Sequence, residues 1–367
     1  MKLLRAILSV ITITTSVLLV ISYLSQYISP EKVVYFAFAG LLFPYLFILN
    51  ALLLIVNILL HRKLFFVGLA AALISYANVP RFYQLSGNSF EKSQITTLTT
   101  HKIISFNVRN FDLYNWNHNV ETKNEILAFL RKENPDIICF QEFFYTSRTD
   151  FKFNPLDTLL KTYPHHYLHI TTEMRGNDFW GLAVFSKYPL KNSRGVSFKF
   201  AKNNGFIATD VIFPNDTITL YNVHLASLHF GKEQYELINK LQSDTGNVEL
   251  ISESSPMIKL MKDAFVERAW ETNFLADNII EEKHPVMLCG DFNDTPSSFC
   301  YQHFRNYFKD AFITAGHGTG RTYIGNFPSF RIDYILYQPP IEIFDFTTYN
   351  IKLSDHKPVS ADFYLKK

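Results

Sequence analysis

Apolar positions fall into two regimes along the chain. Up to Pro80 they are almost unbroken: residues 6–30, 33–60 and 64–80 contain no charged side chain. The first two runs each reach the ~20 residues that cross a bilayer as a helix. The third, LFFVGLAAALISYANVP, is shorter and ends on Pro80. No A-x-A site follows the first run, and a second run comes almost at once, which favours a membrane anchor over a cleaved signal peptide. Lys2 and Arg5 precede the first run, and His61, Arg62 and Lys63 follow the second. The positive-inside rule puts both of those ends in the cytoplasm and the Glu31–Lys32 loop outside. A third span over 64–80 carries everything after Pro80 out of the cytoplasm, whereas a third run lying only in the interface, with two spans, leaves the remainder cytoplasmic.

From His101 onward, short apolar runs alternate with polar ones. HKIISFNV reads as a strand, VETKNEILAFLRKENP as an amphipathic helix stopped at Pro135, and DIICFQEF as a buried strand. Further strands are expected at WGLAVFSK, GFIATDVIF, TITLYNVHL, HPVMLCGDF, RIDYILY and KPVSADFYL. A long helix is expected over about Met257–Glu282, with Phe265, Ala269, Ala276 and Ile280 among its apolar positions. Gly231–Pro256 is polar, breaks the strand rhythm and reads as an insertion. The expected organisation is a membrane segment over 1–80, a linker over 81–100 and one catalytic domain over 101–367. Many strands with interspersed helices indicate an α/β or α+β sandwich. A dinucleotide-binding sheet is disfavoured, because no Gly-rich loop joins the first strand to the first helix.

Charge sharpens the division. The whole chain has 35 Lys+Arg and 33 Asp+Glu, but residues 1–80 hold only Lys2, Arg5, Glu31, Lys32, Arg62 and Lys63. Residues 81–367 are charged like a soluble domain and slightly acidic, so no bulk basic field is available to hold nucleic acid non-specifically. Cys139, Cys289 and Cys300 show no CxxC spacing, sit among apolar neighbours and read as small buried hydrophobes.

The candidate chemistry lies where apolar strands stop. Asn107 ends the first strand and Gln141-Glu142 ends DIICFQE. Asn222 and His224 end TITLYNVH, Asp291 and Asn293 follow VMLCG, Asp333 lies in RIDY, and Ser354-Asp355-His356 precedes the last strand. One Asp or Asn after a strand is ordinarily a turn former. Six such sites at strand ends are not explained as six independent turns.

The order Asn, Glu, His, Asp-x-Asn, Asp, Asp-His resembles the endonuclease/exonuclease/phosphatase superfamily. The matching segments are ISFNVRNF, IICFQEF, GLAVFSKYPL, LYNVHLAS, LCGDFNDTP, RIDYIL and SDHKPV, from about Ile103 to Val359. The resemblance implies a four-layer α/β sandwich, with two β-sheets packed face to face and helices outside. It also implies metal-dependent cleavage of phosphate esters.

The chemistry agrees with that expectation. A phosphate ester is anionic, so a nucleophile must be steered to phosphorus while charge on the leaving oxygen is neutralised. A hard divalent ion held by carboxylate and amide oxygens meets the second need; Mg²⁺ is expected, with Mn²⁺ as a substitute. Glu142 is the leading ligand candidate, with Asn107 and Asp355 completing the metal set. Asp291 stands where the family aligns or deprotonates the attacking water, and the Asn293 amide suits a non-bridging phosphate oxygen. His356 and Asp333 resemble the family's His–Asp pair, and His224 its second histidine, a phosphate contact or proton donor. Asp291 and His356 are both candidates for the base. Arg109 and Arg175 read as phosphate contacts or solvated surface residues. Asp112, Glu173 and Asp294 read as capping or turn residues, and Trp116, Trp180 and Trp270 as core or rim aromatics.

The expected function is a membrane-anchored metal-dependent phosphoesterase, with endonuclease activity as one form of it. A phospholipid-headgroup hydrolase, sphingomyelinase- or inositol-phosphatase-like, is the alternative within the class. A non-catalytic membrane scaffold is the alternative outside it. The partners expected are a phosphate-ester substrate, nucleic acid or phospholipid headgroup, and the lipid bilayer; no protein partner is inferred.

Overall fold

A computed structural model describes residues 2–85, 87, 98–150, 153–200, 203–228, 255–325 and 330–366. Three N-terminal stretches, Arg5–Tyr27, Phe43–Leu60 and Arg62–Phe82, are helical, long and apolar enough to cross a membrane. They contain α1 (Lys2–Leu24), α3 (Phe43–Leu60), α4 (Arg62–Ser75) and the short α5 (Val79–Phe82). The second apolar run of the sequence is not one helix. It breaks into α2 (Tyr35–Leu41) and α3, and Pro44 takes the first turn of α3, where its missing N–H costs nothing.

Buried polar side chains set the register of this bundle. Asn57 donates to Thr12 Oγ1 at 2.9 Å, Ser16 donates to Asn50 Oδ1 at 3.3 Å, and Asn50 donates to Gly68 O at 3.0 Å. Residue numbers rise on α1 as they fall on α3, so these two helices are antiparallel. His61, Arg62 and Lys63 therefore share one end of the bundle with Arg5. The Ser25–Leu41 connection and residues 79–84 share the other.

The rest of the described chain builds two six-stranded mixed sheets. One has the order β11-β12-β1-β2-β4-β3, with β1 His101–Asn107, β2 Ile137–Thr146, β3 His165–Met174, β4 Asp178–Ser186, β11 Ile341–Thr348 and β12 Val359–Leu365. The other has the order β5-β6-β7-β8-β10-β9, with β5 Leu190–Ser197, β6 Gly205–Ile212, β7 Thr217–His224, β8 Val286–Asp291, β9 Lys309–Asp310 and β10 Asp333–Tyr337.

Ile103, Cys139, Val184, Ile207, Leu220, Cys289, Ile335 and Ala361 meet between the sheets. The opposite side chains of the first sheet, such as Ile104, Phe140 and Phe185, pack with Ile126 and Leu130 of α6 (Thr122–Glu133) and Leu159 of α7 (Pro155–Leu160). Those of the second, such as Phe206, Tyr221 and Leu288, pack with Leu275 and Ile279 of α8 (Ser255–Ile280) and Phe304 of α9 (Phe299–Arg305). The result is helix, sheet, sheet, helix: the four-layer sandwich. Strands buried on both faces read as nearly continuous apolar runs, which is why the central strands stood out in the sequence.

The edge strands β3, β5 and β11 did not stand out. They are half-buried and carry polar or charged side chains among their apolar ones. Within α8, Phe265 and Ala269 are buried as expected, but Ile280 is 75% exposed. The buried stripe is Met261, Ala264, Phe265, Arg268, Ala269, Glu271, Thr272, Leu275 and Ile279, and Ile280 lies beside it. All three cysteines are buried and free. Of the expected insertion Gly231–Pro256, residues up to 254 lie outside the described residues, whereas Ser255 and Pro256 open α8.

Candidate active site

Strand register gathers the polar strand ends at one edge of the sandwich. β1 and β2 are parallel, with Asn107 opposite Gln141. β7 and β8 are parallel, with His224 opposite Asp291. β10 runs antiparallel to β8, which puts Asp333 opposite Asp291. β12 runs antiparallel to β1, with Ser105 opposite Val359, so His356 arrives beside the end of β1. Residues more than 200 positions apart are thus neighbours through backbone pairing alone.

Glu142 reaches this edge through a β-bulge. Phe140 pairs with Ala183 and Phe143 with Gly181, leaving Gln141 and Glu142 opposite Leu182 alone. Glu142 takes a left-handed φ of 50°, an unfavourable conformation for a residue with a Cβ. The extra residue breaks the alternation and re-aims the carboxylate, a known use of bulges beside functional sites. Gly290 has a different local requirement: at φ 139° its hypothetical Cβ would lie 2.0 Å from Val223 O, so only glycine lets β8 close on β7 before Asp291.

Two buried amides hold the sheets in register behind the site. Asn222 donates to Phe140 O at 2.9 Å and Ala183 O at 3.0 Å, and accepts from Gln141 Nε2 at 2.6 Å. Asn222 belongs to the second sheet and its partners to the first. Asn222 and Gln141, read as strand-end polar residues, are therefore an inter-sheet clamp one residue from Glu142.

The site itself centres on Asp291. Its Oδ2 accepts from Asn107 Nδ2 at 3.0 Å and lies 3.6 Å from His356 Nε2 and 3.7 Å from His224 Nε2. Its Oδ1 accepts from the Asn293 backbone N–H at 2.8 Å, forming a tight Asx turn in which Asn293 takes φ 51°. His356 Nδ1 lies 3.0 and 3.2 Å from the two oxygens of Asp333. Burial alone would pull the imidazole pKa down. Asp333, Asp291 and the hydrogen bond to Asp333 outweigh it and hold His356 well above its ordinary value. Asp291 is pushed up by burial, against the pull of the two histidines.

Glu142 Oε1 accepts from the same Asn107 amide at 3.1 Å. Its carboxyl is raised by burial and, next, by the negative charge of Asp355. A divalent cation beside these two carboxylates would relieve the cost of burying the Glu142 charge, and their hard oxygens fit Mg²⁺ or Mn²⁺. Asn107 Oδ1 accepts the Arg109 N–H at 3.1 Å, so in this orientation Asn107 bridges Glu142 and Asp291 through its NH₂. Ligation by its oxygen requires the amide to turn over. Asp291, Asp333 and His356 also have candidate donor atoms within 4.8 Å of one another, the spacing of a metal group. The His356–Asp333 hydrogen bonds already occupy that imidazole's Nδ1, and the arrangement reads more directly as an acid–base pair.

The remaining sequence candidates divide. Asn293 gives one N–H of its amide to Leu225 O at 3.0 Å, leaving the other toward the cleft it lines. Arg109 pairs with Asp355 at 3.3 Å and lies over Trp116, 4.4 Å from its ring centre. It opens a left-handed turn, Arg109–Asp112, in which Asp112 accepts from the Asn117 N–H. Arg175 is exposed in the β3–β4 turn, next to Met174 on the cleft's lining. Trp180 is on the rim of the cleft, and Trp270 stacks on Phe274.

Sequence reading missed Arg268 and Glu271. Arg268 pairs with Asp294 at 3.3 Å and donates to Ala226 O at 2.7 Å, so Asp294 is more than a turn residue. Glu271 accepts the Ala226 N–H at 2.7 Å, and burial pushes its carboxyl up to about 8. Together they tie the loop that follows His224 and the loop after β8 that carries Asn293 to one helix. Charged residues one turn apart inside a predicted helix look like a solvated face, so no signal marked them.

The N-terminal helical segment docks beside this edge. Arg331 donates to Asp310 Oδ2 at 2.8 Å and Arg81 O at 3.1 Å, while Arg81 donates to Gln302 Oε1 at 2.7 Å and Gln26 Oε1 at 2.6 Å. Gln84 and Gly318 exchange two backbone hydrogen bonds of 2.8 Å.

Comparison with known proteins agrees with this geometry. The model of the Endonuclease/Exonuclease/phosphatase family matches residues 104–356, and that of a domain of unknown function, DUF8431, matches residues 5–82. A solved endonuclease/exonuclease/phosphatase from Bacteroides vulgatus is similar in fold, with a TM-score of 0.50 and 19% identity, over 73% of this chain and 100% of that one. One from Beutenbergia cavernae has a TM-score of 0.49 and 16% identity over 72% of each chain. The human Nocturnin catalytic domain, solved with a bound sulfate anion, has a TM-score of 0.47 and 19% identity over 73% of this chain and 94% of that one. No curated protein matches the chain in sequence.

Proposed function

Because this chain belongs to the endonuclease/exonuclease/phosphatase family, we propose that it is a divalent-metal-dependent phosphoesterase held at a membrane by its N-terminal helices. The observation that carries the reading is the convergence of Asn107, Glu142, His224, Asp291, Asp333 and His356, from both sheets, on one cleft edge.

Glu142 and Asp355, with Asn107 turned over, would hold the cation. When bound, it neutralises charge on the ester and its leaving oxygen. Asp291 accepts a proton from, or aligns, the attacking water, held in place by the Asn107 amide and the Asn293 N–H. The water oxygen bonds to phosphorus, the bond to the leaving oxygen breaks, and that oxygen takes up a proton. Asp333 keeps His356 protonated and oriented toward the phosphate, where it offers charge or that proton. His224 and the free N–H of Asn293 supply further donors to phosphate oxygens.

The helix register supports the orientation read from the sequence. Arg5 and His61–Lys63 share the cytoplasmic end of the bundle, and residues 25–41 and 79–84, with the catalytic domain, lie at the extracytoplasmic end. A reporter that is active only in the cytoplasm, fused after Lys367, should be inactive; an active fusion rejects this orientation.

The test of activity uses the full chain in detergent or nanodiscs with Mg²⁺ or Mn²⁺. Its substrates are bis-p-nitrophenyl phosphate, DNA, sphingomyelin and a phosphoinositide. At least one should be hydrolysed, and chelation should abolish it. A folded chain inert toward all four with either metal supports the non-catalytic scaffold instead.

A further inference from the structure

The cleft has two lobes that meet at Glu142 and Ser227. One is lined by Asn110, Thr171, Thr172 and Asn203 together with Tyr114, Met174 and Trp180, with His224 beside them. The other has a catalytic side and an apolar side. The apolar side is made by Leu41, Leu228, Met261, Phe265, Phe330 and Ile332.

Leu41 belongs to the membrane segment. It is the last residue of α2, two positions before the membrane-spanning α3 begins. α2 lies on α8 at this wall: Phe38 meets the Phe265 ring edge-on at 5.1 Å, and Lys262 sits 4.5 Å from the Tyr35 ring centre. Tyr35 and Leu42 are 67% and 50% exposed, so apolar surface continues from the wall to the span. Arg268 lines this lobe but is buried against Asp294.

We propose that the substrate is an amphiphilic phosphate ester drawn from the bilayer, with its chain on the Leu41–Met261–Phe265 wall and its phosphate at the Glu142–Asp291–His356 side of the same lobe. This rests on the phosphoesterase reading and adds to it that the membrane segment completes the substrate site as well as anchoring the chain.

The test is a series of alkyl 4-nitrophenyl phosphodiesters, methyl to hexadecyl, given to the full chain in nanodiscs with Mg²⁺. Water cleaves the phosphorus–phenolate bond in each case, releasing 4-nitrophenolate and the alkyl phosphate. If the chain packs on the wall, kcat/KM rises about fourfold for each methylene buried, then levels off. Leu41→Gln and Met261→Gln, on separate elements, should each reduce the hexadecyl-to-methyl ratio about tenfold.

A flat series from an active enzyme overturns the amphiphile proposal and leaves the phosphoesterase reading standing. A wild-type ratio in both variants assigns the chain-length effect to partitioning into the disc and also overturns it. So does preferential cleavage of DNA over the long-chain ester. Hydrolysis of none of the esters by the folded chain overturns the phosphoesterase reading itself.

Discussion

If His356 and Asp333 act as one unit, removing either should disable the same step. The perturbation is His356→Ala, Asp333→Asn and the double substitution, made in the full chain. Both side chains are buried, and two hydrogen-bond distances of 3.0 and 3.2 Å join them. A positioned acid–base group contributes about 10²–10⁴-fold, or about 3–5 kcal/mol of barrier. His356→Ala should lower kcat by that factor on whichever ester is turned over. Asp333→Asn should move in the same direction, because the amide neither balances the imidazolium nor enforces its tautomer. The two losses should not multiply in the double variant.

A purely structural role predicts otherwise. One-sided loss of a buried ion pair costs about 3–5 kcal/mol of stability, which would appear as a lower unfolding temperature with kcat within a few-fold. Turnover and thermal unfolding measured on all three variants separate these outcomes. Losses that multiply refute the unit, and near-normal kcat in folded His356→Ala refutes the catalytic role.

Glu142→Gln should retain the fold and lose most metal-dependent turnover, because it removes a carboxylate from the cation site; full activity in a folded variant places the metal elsewhere. Asn222→Leu leaves two backbone carbonyls and the Gln141 amide without their clamp at 0% exposure, costing about 2–5 kcal/mol. The unfolding temperature should fall by roughly 5–15 °C, and an unchanged value would show that water replaces the clamp. Glu271 titrates at about 8 in the fold against an ordinary 4.5, so the native state holds its proton more tightly than the unfolded chain. Its contribution is full below about pH 4.5 and is lost as pH rises through about 8. Glu271→Gln should remove that decline, and parallel stability curves for the two proteins would refute the shifted carboxyl.

Much of this architecture was legible in one dimension. Burial on both faces forces a strand to be apolar along its whole length, so the central strands announced themselves, and uncharged runs announced the helices apolar and long enough to cross a membrane. One polar residue at the end of such a strand is ordinarily a turn former, but so many at strand ends are not explained as independent turns, which is why Asn107, Glu142, His224, Asp291, Asp333 and His356 could be picked out as candidates. The half-buried edge strands could not, because packing on one face tolerates the mixed composition of a loop.

The tertiary structure alone decided the rest. Pairing register, which depends on residues more than 200 positions apart, set which strand ends meet. A one-residue bulge aimed Glu142, and no composition marks where a ladder slips. Asn222 and Gln141 looked like site residues and are a clamp, because a buried amide's role depends on which carbonyls face it. Arg268 and Glu271 looked solvated and are buried, because only the loops after β7 and β8 cover them. Leu41 looked like membrane and lines the cleft: an apolar side chain carries no mark of which apolar surface it will meet, and only folding chooses between lipid and protein.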